Sequence, residues 1–185
     1  IISNMKKHLS ILLIATLGLG SIWAGNPDRV GSAGAGQLLI NPWAASNGLA
    51  GANMASILGL EATYNNVAGL AFIQKNEIAT ANSQYLGGSG ISVNTVGFGT
   101  RIGSSSVLGL TVTSLSFGDI PVTTEDLPEG GIGTFSPAFS NIGISMAKEF
   151  SNSIYAGFTL RIVSESISNV KATGVSFDAG IRYVT

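Results

Sequence analysis

The chain has 185 residues, of which 10% are charged and 45% are hydrophobic, and its formal net charge is -1. Soluble domains carry about 25% charged residues, so this chain is poor in charge rather than rich in apolar residues. The near-neutral charge argues against a nucleic-acid partner, and the absence of cysteine excludes disulfides, thiolate metal ligands and a cysteine nucleophile. A high glycine content, 25 residues, favours many short strands and tight turns over helices.

The N-terminus has the pattern of a secretory signal peptide, predicted over residues 1–24. Two lysines precede an apolar run from Leu9 to Leu19, and Ala24 provides a small residue for cleavage. A membrane-spanning helix is the alternative, but this run is shorter than the roughly 20 apolar residues that a span requires. Residues 1–4 come before a plausible start methionine and are expected to lie upstream of the true start. We therefore predict an exported protein.

The rest of the chain divides into two zones. Residues 25–74 are rich in Ala, Gly, Asn and Leu and show no sustained alternation, with one or two short helical turns expected between positions 44 and 60. Residues 75–185 alternate between apolar and polar with a period of two, which predicts strands that have one apolar and one polar face. The predicted strands span residues 77–86, 91–102, 107–117, 139–150, 154–166 and 170–184.

The polar faces of these strands carry mainly Gly, Ser, Thr and Asn, whereas a soluble sandwich would carry many lysines and glutamates there. This pattern predicts lipid on one side of the sheet and a packed or wet lumen on the other. We therefore expect an all-β fold, a transmembrane antiparallel β-barrel. The connections at 103–106 and 150–153 are tight and that at 118–137 is long, as expected if the tight turns face the periplasm.

Six strands are fewer than the eight or so with which single-chain barrels of this kind begin. We therefore expect residues 75–185 to be the first strands of a larger barrel, truncated at the C-terminus.

Four stretches, in matching order along the chain, resemble one known family. They are residues 33–40 with 44–52, residues 61–71, residues 118–130 with 135–137, and residues 164–167 with 174–178. The resemblance is to the PorV/PorQ family, outer-membrane proteins of Bacteroidetes-type bacteria that are similar to the FadL group of hydrophobic-compound transporters. The chain differs from the family at Val67, where proline is usual and would fix the backbone angle, and at Ala45, where arginine is frequent.

The resemblance implies a FadL-like barrel of about fourteen strands, within the range of such barrels, with an N-terminal hatch or plug over residues 25–74. The hatch motif falls on Asn66, Ala68, Gly69 and Leu70. A location in the outer membrane of a Gram-negative bacterium follows from the same resemblance. Glycines 97 and 99 lie inside a predicted strand and are expected to let the hatch backbone approach the barrel wall.

The resemblance also implies a non-enzymatic role in type IX protein secretion or in surface attachment of exported proteins. The partners would be outer-membrane lipid, exported cargo proteins and components of the secretion system. A FadL-like transporter of hydrophobic small molecules, such as fatty acids or hydrocarbons, is the alternative, because one fold can serve both functions. A second alternative is a soluble periplasmic β-sandwich binding protein, whose apolar faces would pack on each other.

Charged residues on the predicted polar faces are the candidate site residues, and they are expected to face the lumen. They could bind a substrate headgroup or cargo, but an internal salt-bridge network is favoured, because unpaired charges away from water are costly. These residues are Arg101, Arg161, Glu165, Asp178 and Arg182.

No catalytic, metal or cofactor site is expected. The one histidine, His8, lies in the predicted signal peptide, and no serine lies in a Gly-x-Ser-x-Gly elbow. Four acidic residues in the long loop lack the spacing of a calcium-binding loop, so a solvated acidic loop is predicted there. They are Asp119, Glu125, Asp126 and Glu129.

Overall fold

In a computed structural model, which describes residues 34–185, a six-stranded antiparallel sheet has residues 34–74 packed on one of its faces. The predicted signal peptide and the first part of the predicted hatch lie outside the described residues. We call residues 34–74 the covering segment. The face of the sheet that it contacts is called the polar face, and the opposite one the apolar face.

The strands are β1 Asn76–Tyr85, β2 Ile91–Ile102, β3 Ser106–Ser116, β4 Ile120–Pro121, β5 Thr134–Phe135, β6 Ala138–Ser151, β7 Ile154–Ile167 and β8 Val170–Tyr183. The six long strands lie in the order β1-β2-β3-β6-β7-β8, and the bounds of each lie within one residue of the predicted bounds. Strands β4 and β5, with two residues each, pair with each other inside the long loop, which the sequence did not indicate. Strands β1 and β8 are the edges, so the sheet of the described residues is open.

The turns follow the predicted lengths in part. The β2–β3 and β6–β7 turns are tight and the β3–β6 connection is long. The β7–β8 turn, however, is also tight, although it lies at the same end of the sheet as the long connection. Ser168 adopts a φ of 54° there, the positive angle that two-residue hairpins require. Tight turns therefore occur at both ends of the sheet, and the long connection lies at only one of them.

The covering segment consists of short helical pieces. Two α-helices, α1 (Ala44–Gly48) and α2 (Ala62–Asn65), alternate with 3-10 helices at Gly36–Leu39, Gly59–Glu61 and Val67–Phe72. The helical turn after position 44 was predicted, whereas those after position 61 were not. Among the described residues, no helix is long and apolar enough to cross a membrane.

The core lies between the covering segment and the polar face. Leu60 and Leu70 are completely buried, and their side chains fill the space that glycines leave on the strands. A Cβ atom would lie 3.3 Å from Leu60 at Gly97 and 3.1 Å from Leu70 at Gly109. The expectation for Gly97 and Gly99 is therefore corrected in one respect, because side chains rather than backbone of the covering segment approach them.

The backbone of the covering segment approaches the sheet at a different glycine, Gly157 in β7. A Cβ atom there would lie 2.9 Å from the carbonyl oxygen of Met146 and 3.1 Å from that of Val67. Neither carbonyl can move without displacing a strand or a helical turn. At Gly174, on the same face of β8, a Cβ atom would have no neighbour within 4 Å.

Gly157→Ala is therefore expected to destabilise the fold by about 1–3 kcal/mol, the usual cost of overpacking. The measurement is the free energy of unfolding, together with the rate at which a protease cleaves the covering segment. Gly174→Ala is the matched control and should change neither. Equal stability of the two variants would mean that the covering segment is not held against β7 in this way.

Candidate functional site

The apolar face carries one row of large apolar side chains that crosses all six strands. Each residue in the row lies directly opposite the next one on the neighbouring strand. All of them are at least 44% exposed, which is unusual, because soluble proteins rarely leave a large contiguous apolar patch in water. The row consists of Ile78, Phe98, Leu110, Ile144, Leu160 and Phe177.

This row belongs to an apolar band with a polar border. On β7 the band runs from Ile154 to Ile162, about 26 Å along the strand, which matches the length of a tilted strand that crosses a bilayer. Beyond Ile162, the row that follows towards the long loop contains only amide and hydroxyl side chains. These are Asn82, Asn94, Ser114, Ser140, Ser164 and Thr173.

Charge is distributed unequally between the two faces of the six strands. On the apolar face the six strands carry only two charged residues: Lys148, which pairs with Ala156 two residues inside one end of the band, and Lys171, which pairs with Ser166 beyond its polar border. The polar face carries the other charged residues of the strands. They are Glu77, Arg101, Glu149, Arg161, Glu165, Asp178 and Arg182.

Two of the predicted arginines bind backbone carbonyls of the covering segment. Arg101 donates from Nε to the carbonyl oxygen of Ile73 at 2.8 Å and from Nη2 to that of Ala71 at 2.6 Å. Arg182 donates from Nη1 to the carbonyl oxygen of Ile57 at 2.9 Å. Carbonyl groups at the end of a short helix have no partner within the helix, so Arg101 caps the 3-10 helix Val67–Phe72.

Arg161 is the most deeply buried of these residues, with 3% of its side chain exposed. Its Nε lies 2.8 Å from the Oδ2 of Asp178, and its Nη2 donates to the carbonyl oxygen of Thr63. The guanidinium carbon also lies 4.2 Å from the centre of the Tyr64 ring, a cation–π distance. Arg161 therefore joins β7, β8 and helix α2 of the covering segment.

Acidic side chains pair with backbone N–H groups of the covering segment. Glu77 accepts from the N–H of Leu60 and Glu165 from that of Ala35, both at 2.9 Å. Within residues 34–185 the only ion pair is Arg161–Asp178. The expected salt-bridge network is therefore replaced by charged groups that bind backbone, because the short helices leave many backbone groups to be paired.

The predicted hatch motif lies where the covering segment meets β8. The side chain of Asn66 accepts from the N–H of Ala68 and donates to the carbonyl oxygen of Ile181, both at 3.2 Å. Ala68 and Leu70 are completely buried. Gly69 contacts the carbonyl oxygen of Ile57 so closely that a side chain would clash with it.

Tyr64 is the residue of this junction that sequence reasoning missed. Its hydroxyl lies 2.8 Å from the Oγ1 of Thr113 and 3.1 Å from the Oδ1 of Asn141. The sequence does contain a signal for this role, because Tyr64 is a large aromatic residue among the small residues of the covering segment. The hydroxyl of a tyrosine that packs inside a protein usually needs hydrogen-bond partners.

The acidic residues of the long loop lie at the surface. Asp119, Glu125, Asp126 and Glu129 are exposed, and the described residues hold no group of three potential metal ligands. A small cavity lies between Gln37 of the covering segment and the strand residues Val93, Leu115 and Phe139. Its volume is about 10 Å³, enough for one water molecule.

Comparisons with protein-family models, with curated proteins and with solved structures found no match to this chain.

Arg161→Met is expected to destabilise the protein by about 3 kcal/mol, because the buried carbonyl of Thr63 loses its donor and Asp178 its ion pair. Asp178→Asn should cost about 1 kcal/mol or less, since Asp178 is half-exposed. Tyr64→Phe removes only the hydroxyl and should cost about 1 kcal/mol. Equilibrium unfolding of the three variants measures this order. Equal losses for Arg161→Met and Asp178→Asn would contradict the assignment of Arg161 to the covering segment.

Proposed function

We propose that this chain forms part of the wall of an outer-membrane β-barrel and that the covering segment is its hatch. The observation that carries the proposal is the orientation of the sheet. The face that packs against protein is the polar one, and the face that no other described segment covers carries the apolar row. A soluble protein has the opposite arrangement, because burial of each Leu, Ile or Phe side chain contributes about 1.5–3 kcal/mol.

A lipid bilayer is the partner that accounts for the length of the band and for its polar border near the long loop. The band has the length of a bilayer-crossing strand and ends at a row of amide and hydroxyl groups, as at a membrane surface. The alternative, a periplasmic β-sandwich, needs a second sheet on the apolar face. Within residues 34–185 the other sheet is the pairing of β4 and β5, two residues each, which is too small to cover the six-stranded sheet.

The pairing of the covering segment supports its role as a hatch. Irregular backbone at membrane depth is tolerated only where protein or a water-filled cavity surrounds it. Here the backbone groups of residues 57, 60, 63, 71 and 73 are paired with side chains of the sheet. A segment held in this way can fill a lumen without exposing polar backbone groups to lipid.

For the role of the barrel, we propose type IX protein secretion or surface attachment of exported proteins. This follows the resemblance of residues 33–178 to the PorV/PorQ family. The transporter alternative needs an apolar route between hatch and wall.

Leu110→Arg separates a membrane wall from a soluble sheet. Leu110 lies in the middle of the apolar row and is 46% exposed, so the arginine would fit without a clash in water. In a bilayer the same change should cost about 2–4 kcal/mol of insertion free energy. The expected result is a strong reduction of protein recovered in the outer membrane.

Ser114→Arg is the matched control, because Ser114 lies on the same strand and face but in the polar border. Near the interface an arginine should cost about 0–1 kcal/mol, so recovery in the membrane should be close to that of the wild type. Release of the wild-type protein without detergent, with both variants equally abundant, would exclude the membrane wall.

The partner of the barrel is tested by purification of the protein from outer membranes of its native host in mild detergent, followed by mass spectrometry. We expect exported proteins to copurify. Recovery of fatty acid or hydrocarbon alone would instead support the transporter.

A further inference from the structure

We propose that the apolar face contains a binding site for one glycerophospholipid, in which Lys148 binds the phosphate and an adjacent groove holds the start of an acyl chain. This inference rests on the proposed function, because it requires the apolar face to lie in a bilayer. It adds a defined lipid, at a defined place, to a surface otherwise described only as apolar.

The groove lies beside Lys148, at the end of the sheet near the β6–β7 turn. It has a volume of about 210 Å³, and its apolar side chains are Met146, Phe150, Ala156 and Phe158. Ala156 is paired directly with Lys148 and is smaller than the other apolar residues on its face of β7. The groove therefore exists because the small side chain of Ala156 interrupts the series of large apolar side chains along β7.

Phe150 closes the groove next to the ammonium group. The strand pairing shifts register between Glu149 and Ser151, so Phe150 is the extra residue of a β-bulge, a feature that redirects a side chain. Its ring centre lies 5.6 Å from the Nζ of Lys148, and the ring is 65% exposed. A cation and an apolar trough are thereby adjacent, which suits a ligand with an anionic head and an apolar tail.

The charge of the apolar face also favours a phosphate. Lys148 and Lys171 are the only charged residues that the six strands present on this face, and no carboxylate competes for either of them there. On β7 they pair with Ala156 and Ser166, about 33 Å apart along the strand. At the usual tilt this is roughly 25 Å across a membrane, the height of the apolar band of such barrels.

The backbones of the two lysines are thus about as far apart as the two sides of the hydrocarbon layer, and each long side chain can extend from there to the level of the lipid phosphates. If the β2–β3 and β6–β7 turns face the periplasm, Lys148 lies in the inner leaflet, where glycerophospholipid is the lipid available. Lys171 has polar border residues beside it, Ser166 and Thr173, and therefore lacks an apolar groove. The geometry restricts the proposed site to Lys148.

The test is native mass spectrometry of the protein purified from outer membranes and titrated with dioleoyl phosphatidylglycerol in mild detergent. Lys148→Met should weaken binding of one lipid about fivefold or more, from loss of one lysine near the phosphate. Ala156→Phe fills the groove and keeps the charge, and it should weaken binding similarly. Lys171→Met is the charge-matched control and should bind like the wild type, as should Lys148→Arg.

Variants are compared only when they keep the heat-modifiable mobility of the folded wild type, and Ala156→Leu replaces Ala156→Phe if the latter does not fold. Equal affinity of Lys148→Met, Ala156→Phe and Lys171→Met would overturn the site while leaving the membrane wall intact. Tighter binding of oleate than of phosphatidylglycerol would also overturn it, because the site would then recognise a carboxylate. Release of the wild type without detergent would instead defeat the proposed function itself.

Discussion

Pairing of backbone groups is the constraint on which this fold depends. The covering segment contains only short helices, so much of its backbone lacks partners within those helices. The strands supply the partners from long side chains, such as Arg101, Arg161 and Glu77, that reach across to carbonyl and N–H groups. Glycines between these side chains allow Leu60 and Leu70 to pack closely. Removal of one of these charged groups would therefore leave a backbone group in the core without a hydrogen-bond partner. That costs more free energy than the loss of a surface ion pair.

Side-chain alternation separates the two faces of this sheet. Strands β3 and β7, for example, direct their arginine and threonine side chains towards the covering segment and the residues between them, mainly leucine, isoleucine, valine and phenylalanine, towards the opposite face, which no described residue of the covering segment contacts. The polar face is therefore the protein interior and the apolar face is the exterior. This orientation is unfavourable in water and favourable in lipid, and it is the physical basis of the proposed outer-membrane location.

The location of lysines refines this picture. Charged residues of both signs occur on the polar face, where most of them pair with the covering segment or with each other, whereas the six strands place only two lysines on the apolar face. A long flexible ammonium side chain can extend from an apolar surface to the level of lipid phosphates. The groove at Ala156 makes the surroundings of Lys148 different from those of Lys171. This difference comes from the size of one side chain rather than from charge.

The six long strands could be predicted from the sequence to within one residue, because the period-two alternation is a local property of each strand. The same alternation predicted that Arg101, Arg161 and Arg182 lie on the polar face. What those residues bind follows only from the folded structure. Arg161 and Thr63, for example, are separated by 98 positions, and no local pattern encodes such a pair. The roles of Tyr64 and Ala156 likewise depend on which side chains lie beside them after folding, since hydrogen-bond partners and grooves arise from contacts between distant parts of the chain.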